Sequence, residues 1–205
     1  MQQAQVQRRS YAGLIAIAIG IIVAISMVTS YNALVTLDQG VQAQWGQVQN
    51  VYQRRADLIP NLVATVKGAA NFEKSTYIAV TEARAKVGQI SPDVIKNATN
   101  NQAALSQYQS AQDNLGSALS RLLVVVENYP QLKANENFNQ LQAQLEETET
   151  RISQARRFYN ANVREMNTAV ETFPSVMVAG AFGFTPAQYF ELDEAAARGP
   201  VKVQF

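Results

Sequence analysis

The feature that most constrains this chain is the uncharged run YAGLIAIAIGIIVAISMVTS at residues 11–30. A helix of this length spans about 30 Å, which is the thickness of the hydrocarbon core of a lipid bilayer. The run is longer than the usual apolar core of a signal peptide, and no clear small-x-small cleavage site follows it. We interpret it as a retained transmembrane anchor in contact with membrane lipid, preceded by a short N-terminal tail at residues 1–10.

The charges beside the anchor predict its orientation. Arg8 and Arg9 precede the run, whereas the first charged residue after it is Asp38. Positive charge is enriched on the cytoplasmic side of membrane spans. We therefore expect a single-pass membrane protein with its N-terminus in the cytoplasm and the remainder of the chain outside.

The composition argues against chemistry. The sequence has neither histidine nor cysteine and a formal net charge of +1. It therefore lacks a disulfide framework, a thiolate nucleophile, the commonest general base and a strongly basic surface for nucleic acid. Carboxylate pairs such as Glu146 and Glu149 could ligate a metal, but bundles with two metal ions use Glu-x-x-His motifs, which are absent here. We expect no catalytic activity, no cofactor, no metal site and no nucleic-acid partner.

After the anchor, apolar residues recur every three or four positions, which is the spacing of an amphipathic helix. A second such stretch runs from about residue 61 to Val87, and Gly88 follows where a helix cap is expected. Ser91 and Pro92 supply the cap and first turn of a third segment, and a fourth covers residues 136–172. The first stripe comprises Leu34, Leu37, Val41, Trp45, Val48 and Tyr52. The sequence predicts an all-α fold.

Pro60 lies where the first two stretches meet, within the segment RRADLIPNL. The apolar stripe continues in phase through Arg55, Ile59 and Leu62, and no glycine or asparagine marks a tight turn. We interpret residues 31–87 as one helix kinked before Pro60, so that residues 31–174 form an antiparallel up-and-down bundle of three long helices. The alternative is a helix-turn-helix with Asp57 as N-cap, which gives a four-helix bundle.

Three segments carry a family resemblance: RRADLIPNL, RRFYNANVREMNTAVETFP and FGFTPAQYFELDE. With the sequence around them, from about Tyr31 to Phe205, they resemble the LemA family of bacterial membrane-anchored helical proteins. The resemblance implies an N-terminal anchor followed by an antiparallel helical bundle, with no established enzymatic activity. Together with the orientation of the anchor, it implies a single-pass protein of the bacterial cytoplasmic (inner) membrane, with the bundle on the periplasmic or exterior side. It also implies a role in maintaining the bacterial envelope.

Two groups of polar residues are candidates for a site. Arg54, Arg55, Asp57 and Pro60 form the first, and Arg156, Tyr159 and Asn160 form the second. Because Arg55 falls on the apolar stripe, its guanidinium needs a carboxylate or a freed carbonyl as partner. The first group is either an anion or partner site or a buried clamp that fixes helix register, and we favour the clamp. We expect the second group to form hydrogen bonds between helices.

Residues 175–205 form a C-terminal segment whose uncharged part is too short to span a bilayer. Thr185 and Pro186 predict a short helix that reaches about Leu192. Val201, Val203 and Phe205 could share one face of a short strand. This segment either docks on its own bundle or contacts another chain.

The expected helix lengths suggest self-association. One helix over residues 31–87 would be about 85 Å long, whereas the fourth segment would be about 55 Å long and could not return to the membrane. The stripe near the membrane would then lack an intrachain partner and would form a homo-oligomer. The contact residues are Leu34, Leu37, Val41, Trp45 and Val48. We expect a self-associating scaffold or adaptor of the bacterial envelope; the alternative is a regulatory subunit of an envelope protease or transport system.

Overall fold

The computed structural model describes residues 2–69 and 72–190, with side chains described from residue 11 onward. Its helices are α1 (Gln2–Lys67), α2 (Lys74–Gly88), α3 (Pro92–Asn97), α4 (Gln102–Val126), α5 (Pro130–Lys133), α6 (Glu136–Glu171) and α7 (Ser175–Phe182). No strand occurs within the described ranges. The predicted all-α fold with a long apolar N-terminal helix is therefore confirmed. By length and composition, one described helix, α1, could cross a membrane.

The bundle is built from α1, α2, α4 and α6, in which α1 packs along α6 and α2 packs along α4. The prediction of one helix over residues 31–87 is wrong, because α1 ends at Lys67 and α2 begins at Lys74. Gly68 follows the last helical residue, and its N–H donates to the carbonyl of Thr65. Glycine is a common residue just after a helix end, so Gly68 was the missed signal. The bundle thus resembles the four-helix alternative in its number of long helices, but the break lies after Lys67 and not at Asp57.

Helix α1 continues through Pro60, as expected, and Asp57 caps no helix. A proline has no N–H, so the carbonyl four residues earlier loses its helical donor. That carbonyl belongs to Ala56, and the Nε of Arg84 on α2 donates to it at 2.9 Å. A side chain of the neighbouring helix thus replaces the hydrogen bond that Pro60 removes.

This replacement predicts a coupling between Pro60 and Arg84. Arg84→Ala should destabilise the bundle by about 1 kcal/mol, because it leaves the Ala56 carbonyl without a donor. In a Pro60→Ala background the restored N–H supplies a donor, so the same change should cost close to nothing. Thermal melting of the two single variants and the double variant measures the coupling, with the exposed Lys86→Ala as control. Equal costs in both backgrounds would contradict it.

The core forms two clusters along the bundle. The one nearer the anchor contains Trp45, Tyr108 and Tyr159, and the distal one contains Leu62 and Leu115. Four residues of the proposed oligomer stripe are buried within the chain, namely Leu34, Val41, Trp45 and Val48. Leu37, the fifth, is partly buried against the same cluster.

The premise of an uncovered stripe is therefore wrong. Since α1 ends at Lys67, its part beyond residue 30 and the whole of α6 are each about 55 Å long. Helix α6 consequently returns to the level of the anchor and covers the stripe. The end of the chain's described part adds α7 and an irregular segment at residues 184–190.

The C-terminal segment differs from its predicted form. The uncharged run forms α7, and the left-handed Gly183, with φ of 78°, ends it. Residues 184–190 contain no helix, so the helix expected from Thr185 and Pro186 is wrong over these residues. Leu192, Val201, Val203 and Phe205 lie outside the described residues. The described part docks on its own bundle.

Candidate functional site

The first polar centre is a clamp around Arg55 that joins α1, α4 and α6. Arg55 is only 2% exposed. Its Nη2 donates to both the main-chain carbonyl and the side-chain Oε1 of Gln112, each at 2.7 Å, and its Nη1 donates to Glu149 at 2.8 Å. A Cβ added at Gly116 would lie 3.3 Å from Nη1, so the small residue leaves room for the guanidinium. The clamp fixes three helices in one register.

The second polar centre lies next to the clamp and is formed by Arg156 on α6. Its Nε donates to the hydroxyl of Tyr52 on α1, and its Nη2 donates to the carboxylate of Asp113 on α4. Both guanidinium groups contact the ring of Tyr52, whose centroid lies 5.3 Å from Cζ of Arg55 and 5.5 Å from Cζ of Arg156. Cation–π contacts therefore link the two centres.

An aromatic cluster lies on the membrane-proximal side of these centres, around Trp45. The ring of Trp45 lies 5.4 Å from that of Tyr108 and 5.8 Å from those of Tyr159 and Phe190. Its Nε1 donates to the carbonyl of Ile95 at 3.1 Å. Such tilted and edge-to-face packing stabilises cores beyond simple burial.

Burial controls the ionisation of these tyrosines. It raises the pKa of Tyr108 to about 12, and it also raises the pKa values of Tyr52 and Tyr159. Desolvation disfavours the charged tyrosinate, which is the dominant cause in each case.

The raised pKa of Tyr108 predicts a loss of stability at alkaline pH. Its ordinary pKa is about 10, so between about pH 10 and 12 the unfolded chain releases this proton while the folded chain retains it. The stabilisation is complete below pH 10 and disappears as pH rises through the folded pKa. Tyr108→Phe should reduce the alkaline fall in melting temperature, whereas the half-exposed Tyr189→Phe should not change it. Identical pH profiles for wild type and Tyr108→Phe would contradict this.

Two asparagines of α6 hold the irregular segment 184–190. Asn167 accepts from the N–H of Ala187 and donates to its carbonyl, and Asn160 pairs in the same way with Phe190. Asn160 and Asn167 are seven residues apart on a helix, a distance of about 10 Å. Ala187 and Phe190 are three residues apart in an extended segment, which is also about 10 Å, so both asparagines can pair with the segment at once. The hydroxyl of Tyr159 donates to the carbonyl of Gln188 between them. Each asparagine side chain thus forms the same pair of hydrogen bonds, to one N–H and one carbonyl, that a neighbouring strand would form with this segment.

A groove of about 920 Å³ runs between α4 and α6. Leu119, Leu145 and Ile152 contribute apolar surface, and both guanidinium centres reach its wall. Phe190, the last described residue, lies at one end. Exposed polar residues along the groove are Ser117, Ser120, Arg121, Glu146, Ser153 and Arg157.

The model of the LemA family matches residues 44–205, which is most of the chain. The chain belongs to the LemA family. It is also similar to the magnetosome protein MamQ of Magnetospirillum gryphiswaldense, with 26% identity over 85% of this chain and 71% of that protein. MamQ 2 of Paramagnetospirillum magneticum is 26% identical over 81% of this chain and 66% of its own length.

The candidate residues of this LemA-family protein do not form one site. Arg55 is buried in the clamp, whereas Arg54, Asp57 and Pro60 are exposed. Asp57 accepts from Gln53 on the same helix, at 2.7 Å. The clamp is thus built from Arg55 alone among this group.

The second candidate group divides between two tasks. Arg156 bonds between helices, as expected, whereas Tyr159 and Asn160 bond the C-terminal segment instead. Gln112, Arg84 and Asn167 were not identified from the sequence. A polar residue seven positions after Asn160 was the available signal for Asn167, since this spacing returns to the same helix face.

Proposed function

We propose that this LemA-family protein is a membrane-anchored adaptor of the bacterial envelope that acts by protein contact, through the groove between α4 and α6. The family match and the apolar part of α1 establish a membrane-associated helical protein. The relatives named as magnetosome proteins support a bacterial setting. An adaptor needs a stable body held at the membrane and an accessible surface for its partner.

The observation that carries this proposal is that the polar residues of the interior bond within the chain. Arg55, Arg156, Asn160 and Asn167 each bond other parts of the same chain, as a structural role requires. Within the described ranges, no group of three or more acidic, histidine or cysteine side chains could hold a metal ion. Among the described residues, no hydrogen bond joins a serine of the groove to a carboxylate that could act as its base. Contact therefore explains the molecule better than catalysis does.

The groove suits an amphipathic segment of another envelope protein. Its floor is formed by the buried Leu119, Leu145 and Ile152, the partly exposed Leu123 offers apolar surface, and the exposed rim carries both signs of charge, on Arg121, Arg157 and Glu146. Charged rims select partners and register more than they add affinity. Self-association through the Leu34–Val48 stripe is not part of this proposal, because those residues are covered by the chain's own helices.

Photo-cross-linking from single positions tests the adaptor role. A cross-linker at Ser117 or Ser153, in the groove, should capture one stoichiometric second protein in bacterial membranes, whereas one at the exposed Lys86 on α2 should not. Adducts between two copies of the chain would favour a self-associating scaffold instead. Adducts only within one chain, or equal capture from Lys86, would contradict the proposal.

The proposed location is the cytoplasmic membrane, with the bundle on its periplasmic or exterior face. Arg8 and Arg9 before the span support this orientation. Because the chain has no cysteine, a Val124→Cys variant provides one exposed thiol on the distal part of the bundle. A thiol reagent that cannot cross the cytoplasmic membrane should label it in spheroplasts. Labelling only after the membrane is broken would reverse the orientation.

A further inference from the structure

We infer that α7 and the turn before it form a second membrane contact, in which exposed apolar side chains enter the lipid interface beside the transmembrane anchor. This membrane-contact surface comprises Phe173, Val176, Met177 and Phe182. The inference rests on the anchor in α1 and is independent of the adaptor role.

The composition of this region is the first argument. No charged residue occurs from Thr172 to Phe190. Helix α7 has the sequence SVMVAGAF and is apolar on all sides. A helix of this kind is stable only where all its faces avoid water, in a protein core or in a membrane.

The protein covers only part of α7. Val178 and Ala179 are buried in the membrane-proximal core. Phe173 and Met177, in contrast, are 79% and 67% exposed, and Phe182 and Val176 are also exposed. A cluster of large apolar side chains facing solvent marks a contact with a partner or with lipid.

The position of α7 identifies lipid as the partner. The ring of Phe182 lies 4.9 Å from that of Tyr31, and the ring of Phe184 lies 5.8 Å from it. Tyr31 directly follows the apolar run, where aromatic residues commonly mark the membrane interface.

The partly buried face of the anchor also indicates that α7 lies at the membrane surface. Within residues 11–30, only Ser26 and Ser30 are partly buried. They lie one helical turn apart, on the face that continues to the buried Leu34. Helix α7 packs against α1, so the protein body reaches the last turn of the span. The exposed side chains of α7 are thus held at the depth where the bilayer begins.

Two contacts with one bilayer would also limit the tilt of the bundle. A single transmembrane helix can tilt in the bilayer and carry the body with it. An interfacial helix beside it fixes one side of the body against the membrane. This geometry orients the groove between α4 and α6 relative to the membrane surface.

The chain's lack of cysteine permits a direct test with single-cysteine variants. Phe173→Cys and Met177→Cys carry an environment-sensitive fluorophore, and the full chain is reconstituted in phosphatidylcholine and phosphatidylglycerol vesicles. Val124→Cys and Phe158→Cys are matched controls, since these residues are 66% and 61% exposed on α4 and α6. Lipids brominated on their acyl chains quench probes that enter the bilayer.

We expect the probes at positions 173 and 177 to lose about half of their fluorescence in brominated vesicles, as interfacial side chains do, while the control probes remain unchanged. Quenching at 173 and 177 no greater than at 124 and 158 would overturn the inference. Shielding that depends on protein density, and vanishes on dilution with unlabelled lipid, would also overturn it, because it would assign the surface to a second copy.

Discussion

Trp45→Glu should unfold the membrane-proximal half of the bundle. Trp45 is 3% exposed and contacts three aromatic rings from α4, α6 and the segment 184–190. Loss of a buried tryptophan costs about 3–5 kcal/mol, and a carboxylate in its place adds an unpaired buried charge. The sum is comparable to the whole stability of a typical domain. Far-UV circular dichroism during heating in detergent measures the loss.

Two control variants separate burial from charge. Phe158→Glu introduces the same charge at an exposed aromatic residue of α6 and should change the melting temperature little. Trp45→Phe retains a ring but leaves the Ile95 carbonyl without its donor, at a cost of about 1–3 kcal/mol. If Trp45→Glu instead kept the thermal stability and only reduced the size of the assembly, Trp45 would lie between subunits as first expected.

The position of Trp45 shows how much of the packing the sequence could predict. Helical periodicity identified Trp45 and Val48 as apolar stripe residues, because one side of each helix must be buried. It could not identify the covering helix, since that depended on where α1 ends. The prediction extended the first helix from Lys67 to Val87, which made it about 30 Å too long. This error alone left the predicted stripe without a covering helix. The position of a single helix end, at Gly68, therefore determined whether the stripe is covered within the chain.

The polar centres were partly predictable for a similar reason. The phase of the stripe correctly placed Arg55 in the interior and required a partner for it. The sequence did not identify Gln112 as a partner of Arg55, because Gln112 lies among leucines on the buried side of another helix, α4. Of the two expected kinds of acceptor, the carboxylate is present as Glu149. The carbonyl freed by Pro60 also exists, but Arg84 donates to it. Pairing across helices is set by tertiary register, which periodicity within one helix does not contain.

The second large effect is expected for Arg55→Ala, which should destabilise the bundle by about 2–4 kcal/mol. The change removes three charge-assisted hydrogen bonds, leaves Oε1 of the buried Gln112 without its donor and opens a cavity. Glu149→Gln removes the negative charge from the same clamp but should cost less than about 1 kcal/mol, because the Glu149 side chain is 49% exposed. Thermal melting of both variants compares the two costs. Equal costs would mean that the ion pair, and not the bonds to α4, holds the clamp.

Gly116 provides an independent check of the same clamp. In an ordinary helix, Gly→Ala stabilises by about 1 kcal/mol. Here the new Cβ would lie 3.3 Å from Nη1 of Arg55, closer than most such contacts, so the guanidinium must move by a few tenths of an ångström while three hydrogen bonds hold it in place. Gly116→Ala should therefore gain nothing in the wild type but recover its full benefit in the Arg55→Ala background. An equal gain in both backgrounds would show that the guanidinium does not occupy the space beside Gly116, and the clamp between α1 and α4 would be disproved.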